Sequence, residues 1–145
     1  MNNPRKVLLV ENDASIRYMM RDIIATLGVE VSVAEDGQSC LDMLSSAPSD
    51  YGLVLMDLHM PQLSGIDAAK QIREAPVDPP SNIPIIAVTA DAAFHDQAIV
   101  RKIGMDGFAP KPLTPSRLLR LIDKFCTAAE LGNTHRQSTA EKKVF

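Results

Sequence analysis

Four apolar runs in this chain lead into residues capable of chemistry. Val7-Leu8-Leu9-Val10 is followed by Glu11, Asn12 and Asp13, and Leu53-Val54-Leu55-Met56 by Asp57. Ile85-Ile86-Ala87-Val88 is followed by Thr89, Ala90 and Asp91, and the weaker Gly107-Phe108-Ala109 leads to Lys111-Pro112. Two carboxylates held close together repel by ~4 kcal/mol at 4 Å for an effective dielectric near 20. A divalent cation relieves that repulsion, and oxygen donors without Cys or His suit Mg²⁺ better than Zn²⁺. A carboxylate oxygen of Asp57 can attack a phosphoryl group to give an aspartyl phosphate. Lys111 and Thr89 would then neutralise or hydrogen-bond the phosphoryl oxygens. Taken singly, an Asp after a strand is more often a cap or turn residue. The signal is the joint occurrence at four run ends.

The elements that must position these residues can be read from periodicity. Besides the four runs, Val29 to Ala34 is a fifth short strand. Nearly continuous Val, Ile and Leu predict strands covered on both faces, hence a parallel sheet. Between them, Ile16, Met19, Met20, Ile23, Ile24 and Leu27 keep a helical rhythm that Gly28 stops. Leu41, Met43 and Leu44 mark a second helix after Asp36-Gly37, and Ile66, Ala69, Ile72 and Arg73 a third. A fourth is predicted over Ala92 to Ile103, capped by Asp91 and ended by Gly104. The fifth opens with Thr114 as cap and Pro115 at its first position, followed by Leu118, Leu119, Leu121, Ile122 and Phe125. Five βα units predict a doubly wound α/β fold with flavodoxin-like strand order 2-1-3-4-5. That order gathers Glu11, Asp57, Thr89 and Lys111 at the carboxyl edge of the sheet, where sites form in such folds.

Composition narrows the classes. At 145 residues the chain is long enough for one domain with its own core. Cys40 and Cys126 lie far apart with no metal-ligand spacing, which disfavours a disulfide scaffold or a zinc finger. No apolar run approaches the ~18–20 residues of a membrane span, and the first strand is too short for a signal peptide. A cytoplasmic protein without membrane insertion is expected. Net charge is −3; residues 132–145 carry Arg136, Lys142 and Lys143 against Glu141, so the remainder is more acidic still. An acidic body with two Tyr, four Phe and no Trp makes nucleic acid an unexpected partner. Residues 75–82 form a Pro-rich connector, and residues 130–145 read as a flexible polar tail. Met19, Met20, Met56 and Met60 read as core filler, and His95 and His135 belong to no cluster.

The segments Val7-Leu-Leu-Val-Glu11-Asn-Asp, Leu55-Met-Asp57-Leu-His-Met-Pro61 with Gly65, Ile85-Ile-Ala-Val-Thr89-Ala90 and Gly107-Phe-Ala-Pro-Lys111-Pro112 resemble the receiver domain of two-component response regulators. In style they are closest to receivers that work with hybrid histidine kinases. The resemblance implies a receiver domain over residues 5–129 with Asp57 as the phosphorylated residue and Mg²⁺ as cofactor. It implies metal ligation by Glu11, Asn12, Asp57 and the backbone carbonyl of His59. Thr89, Ala90 and Lys111 would contact the phosphoryl group. Thr89 and Phe108 would be the switch pair, His59 and Asp91 would tune hydrolysis, and Lys111-Pro112 would be cis.

Asn12 departs from the family pattern, which has a second acid there. An amide oxygen can ligate Mg²⁺ but brings no charge, so weaker binding is expected unless Asp13 compensates. Phe108 lacks the hydroxyl of a Tyr, so its burial needs no hydrogen-bond partner. The resemblance implies a signalling module that catalyses only its own phosphorylation and dephosphorylation. Its phosphoryl donor would be a histidine kinase or histidine phosphotransfer protein. Output would run through protein contact or onward phosphorelay, with the chain monomeric or weakly dimeric through the face of the fourth helix, fifth strand and fifth helix. Two alternatives stand: a pseudo-receiver that binds partners without phosphate, and an aspartyl-phosphate phosphohydrolase. The second usually needs another acid two residues after the nucleophile, where this chain has His59.

Overall fold

The computed structural model describes residues 6–127. Five strands, β1 (Lys6–Val10), β2 (Val31–Ala34), β3 (Tyr51–Asp57), β4 (Ile85–Thr89) and β5 (Gly107–Pro110), form one parallel sheet in the order β2-β1-β3-β4-β5. This is the order predicted from the sequence. Side chains alternate across the strands, so the sheet builds two apolar layers. Val7, Leu9, Leu53, Leu55, Ile86 and Val88 face one layer with Met20, Ile24, Leu118 and Ile122. Leu8, Val10, Val54, Met56, Ile85 and Ala87 face the other with Leu44, Ala68, Ile72 and Val100. Every residue of β3 is buried, as a central strand covered on both faces requires.

Helices α1 (Ala14–Thr26), α2 (Gly37–Ser46), α3 (Gly65–Arg73), α4 (Gln97–Lys102) and α5 (Pro115–Ile122) connect or follow the strands. Each begins with a side-chain cap: Asp13, Asp36, Ser64, Asp96 and Thr114 accept from backbone N–H groups of the first turn. Past α1, Gly28 takes a left-handed φ of 83°, which glycine adopts without strain. Beyond α5 the chain continues into a π-helical turn, Asp123–Thr127.

Some expectations need correction. The fourth helix is not continuous over Ala92 to Ile103. Asp91 caps only a 3₁₀ turn, Ala92–Phe94, and α4 starts afresh with Asp96 as its cap. Two competing caps five residues apart split the helix. Met19 is 45% exposed and not core filler, whereas Met20, Met56 and Met60 are buried. The tail at 130–145 and His135 lie outside the described residues.

Arg73 ties the far end of the fold together. Its guanidinium donates to the carbonyls of Gly104, Ser81 and Ile83 and to Asp106, whose carboxylate also accepts from Ile85 N–H. The Pro-rich connector is thereby pinned to the starts of β4 and β5.

Candidate functional site

The sheet register sets the site. Val10 pairs with Met56, Asp57 with Val88, and Thr89 with Pro110. Glu11, Asp57, Thr89 and Lys111 therefore step along the carboxyl edge of four adjacent strands. Glu11, Asp57 and Thr89 are at most 5% exposed, and they are the buried polar or charged residues of the described core. Burying such groups is costly unless they are paired. Lys111 supplies the pairing: its ammonium lies 2.8 Å from Glu11 Oε1 and 3.4 Å from Asp57 Oδ1. The Lys111-Pro112 bond is cis, as the resemblance implied.

These charges shape one another. Burial pushes the Glu11 carboxyl above its ordinary range and the Asp57 charge adds to this, against the pull of Lys111 and the Asp13 N–H. Burial works against the Lys111 charge, but Glu11 and Asp57 more than offset it and hold its pKa above the ordinary value. The lysine thus stays a cation beside two carboxyl groups.

The donors fit a hard cation, with a reservation in charge. Glu11, Asp57, the Asn12 amide and the His59 carbonyl all offer oxygen, as Mg²⁺ prefers. Among the described residues no three His, Cys, Asp or Glu side chains converge as a metal cluster. A third acid is missing because Asn12 stands in its place, exposed at the rim. Asp13 commits one carboxylate oxygen elsewhere: its Oδ1 caps α1 by accepting from Ile16 N–H, and its own N–H donates to Glu11 Oε2 at 3.0 Å.

The Thr89 hydroxyl accepts from Asp91 N–H at 3.0 Å, which ties it to the loop after β4. Ala90 beside it is exposed and adds only a methyl group. His59 Nε2 and Asp91 Oδ2 meet at 3.0 Å, linking the loops after β3 and β4, and the His59 ring stands edge-on to Phe94. The Ala93 N–H and then His59 hold the Asp91 carboxyl below its usual range. Gly65 explains its place in the motif: a Cβ there would overlap the Asp57 carbonyl and crowd Met56. Phe108 lies outside the carboxylate cluster, half-buried on the α4 side of the sheet.

The sequence pattern puts His95 in no cluster, but the structure does. Its Nε2 lies 2.8 Å from the Thr89 carbonyl, and its ring stacks on Phe108 with centroids 5.6 Å apart. No spacing rule links residues 89, 95 and 108; only the folded sheet brings them together.

A parallel five-stranded sheet with acids, a hydroxyl and a lysine at its carboxyl edge defines a class of signalling domain. The family model for the response regulator receiver domain matches residues 7–123, and the chain belongs to that family. Receiver domains act in two-component signalling, bind Mg²⁺ at their phosphorylation site and interact with histidine kinases or phosphotransfer proteins. Over 121 residues the chain is 34% identical to the chemotaxis protein CheY of Thermotoga maritima, covering 83% of this chain and 96% of that protein. It is 33% identical over 123 residues to hybrid signal transduction histidine kinase I of Dictyostelium discoideum, covering 83% of this chain but 7% of the kinase. It spans 47% of the transcriptional regulatory protein CpxR of Escherichia coli, at 31% identity over 81% of this chain. The solved structure of chemotaxis protein CheY4 of Vibrio cholerae superposes with a TM-score of 0.74 at 26% identity, covering 85% of this chain and 99% of that one. Among the described residues no helix is long and apolar enough to cross a membrane.

Proposed function

We propose that this chain receives a phosphoryl group on Asp57 from a phosphohistidine of a kinase or phosphotransfer protein. The observation that carries this reading is the Lys111 ammonium seated between Glu11 and Asp57 beside the buried Thr89. An Asp57 carboxylate oxygen attacks phosphorus and forms the O–P bond. The N–P bond of the phosphohistidine breaks, and its electron pair stays on the imidazole nitrogen, which takes up a proton. Lys111 keeps its proton and balances charge on the phosphoryl oxygens. Glu11, Asp57, the Asn12 amide and the His59 carbonyl would hold Mg²⁺, which supplies further neutralisation when bound. Return to the resting state is attack of water on phosphorus, which restores the Asp57 carboxylate and releases inorganic phosphate.

Phosphorylation adds charge beside Thr89, drawing its hydroxyl and the loop after β4 towards Asp57. The readout falls on the face of α4, β5 and α5, where Phe108, Pro110 and Leu121 line a shallow concavity of about 440 Å³ rimmed by Arg117, Arg120 and Lys124. A protein partner or a second copy of the chain would meet it there.

The test is incubation with acetyl phosphate and Mg²⁺, read by intact mass. A gain of one phosphoryl group, absent in Asp57→Asn, supports the reading. Asn12 favours a second reading, a receiver that binds partners without phosphate. It predicts no mass gain in the wild type.

A further inference from the structure

We propose that His95 is a positioning residue that restrains both switch groups at once and sets how readily this receiver takes its phosphorylated form. The inference rests on the reading of Asp57, Thr89 and Phe108 given above. His95 Nε2 is 2.8 Å from the Thr89 carbonyl oxygen. A carbonyl only accepts, so Nε2 carries the proton, and it does so in the neutral and the charged ring alike. The same oxygen accepts from Lys111 N–H at 3.1 Å, so the end of β4 is held by both its neighbour strand and His95. On its other side the imidazole lies almost parallel to the Phe108 ring, with an interplanar angle of 10°.

The main chain that carries this imidazole is itself hydrogen-bonded. His95 N–H donates to Ala92 O at 3.1 Å, closing the 3₁₀ turn. Asp96, the next residue, caps α4 through Ala98 and Ile99 N–H. His95 thus sits in the break between the turn and α4, the same break that the sequence pattern did not anticipate. From there it joins the end of β4, the β4–α4 connection and β5 through a single side chain.

Moving the loop after β4 towards Asp57 strains the His95–Thr89 bond, and rotating Phe108 away undoes the stack. One residue therefore opposes both movements and makes each easier once the other has occurred. A ligand that selects the moved state binds with an apparent affinity reduced by the fraction of molecules already in that state. Loosening His95 raises that fraction.

Beryllium trifluoride, a non-covalent stand-in for a phosphoryl group on a carboxylate, is titrated with Mg²⁺ into the whole chain by calorimetry. NMR follows the Phe108 ring and the Thr89 methyl. His95→Ala is expected to bind roughly 3–10-fold more tightly, since the apparent Kd falls in proportion as the fraction of molecules already in the moved state rises. Its ligand-free Phe108 signals should move towards their positions in bound wild type. His95→Phe, which keeps a ring but has no donor, is expected to fall between the two and keeps the test decisive if His95→Ala does not fold. A purely structural role predicts lower thermal stability with unchanged affinity and unmoved Phe108 signals, and that result overturns the proposal. Wild type that fails to bind beryllium trifluoride, or binds it equally as Asp57→Asn, overturns the reading of Asp57 and the role of His95 with it.

Discussion

The Lys111 ammonium is nearer to Glu11, at 2.8 Å, than to Asp57, at 3.4 Å. The lysine is thus as much the counter-ion of a buried glutamate as a partner of the proposed phosphoryl acceptor. Replacing it with Met leaves Glu11 buried without its cation. A lost hydrogen bond to a buried charged group costs about 1–3 kcal/mol. Lys111→Met should therefore lower stability to urea by that amount at neutral pH, and an unchanged midpoint would show that the pair is not coupled to folding.

Glu11 itself predicts a pH dependence. Folding raises its pKa, chiefly through burial, above the ordinary 4.5. The folded state therefore binds this proton more tightly than the unfolded chain. That contribution is fully present below the unfolded pKa and is lost as pH rises through the folded one. Glu11→Gln cannot ionise, although it leaves Lys111 without its nearest counter-ion, so its stability relative to wild type should rise as pH is raised through the folded-state pKa of Glu11. The difference in melting temperature between the two should therefore change with pH. A gap that stays constant with pH would rule the explanation out.

Asn12 predicts weak Mg²⁺ binding that one substitution improves. A unit charge 4 Å from another is worth about 1 kcal/mol even in bulk water, and a divalent ion doubles it. Asn12→Asp should tighten Mg²⁺ by roughly tenfold or more, read by calorimetry on the unphosphorylated chain. Equal affinities would remove Asn12 from the metal site.

Gly65 packs where a Cβ would strike the Asp57 carbonyl. Overpacking of this kind costs about 1–3 kcal/mol. Gly65→Ala should lose that much stability and take up phosphate from acetyl phosphate more slowly, because the end of β3 must shift. Wild-type rates in a destabilised variant would separate the packing effect from the site.

The His59–Asp91 pair is exposed, at 61% and 38% of the two side chains, so solvent screens it and it adds little to folding. Its expected effect is on the lifetime of the phosphorylated state, because it ties together the loops flanking Asp57 and Thr89. His59→Ala and Asp91→Ala should each shorten that lifetime several-fold, with the double variant no faster than the quicker single. Additive effects, followed by loss of phosphoryl mass with time, would show that the two residues act separately.

Much of this molecule is written locally in its chain. The two-sided apolar strands, the cap Thr114 with Pro115 behind it, and the stop at Gly28 follow from short-range sterics and hydrogen bonding, which neighbouring residues determine. Those elements, with the crossover rule, predict the strand order, and the strand order places Glu11, Asp57, Thr89 and Lys111 together. The sequence also marks Asn12 as a missing charge, since residue type alone decides whether a donor carries one.

Other features depend on contacts between residues remote in sequence. The break between Ala92–Phe94 and α4 was hidden because a helical rhythm does not show which of two caps, Asp91 or Asp96, wins. Arg73 follows the helical pattern, yet its guanidinium spends its donors on three carbonyls from two other segments and on the Asp106 carboxylate. His95 has no sequence signature at all. Its role arises because parallel strands β4 and β5 lie side by side, bringing the Thr89 carbonyl and the Phe108 ring within reach of one imidazole, and hydrogen bonds and ring stacking act only over such short distances.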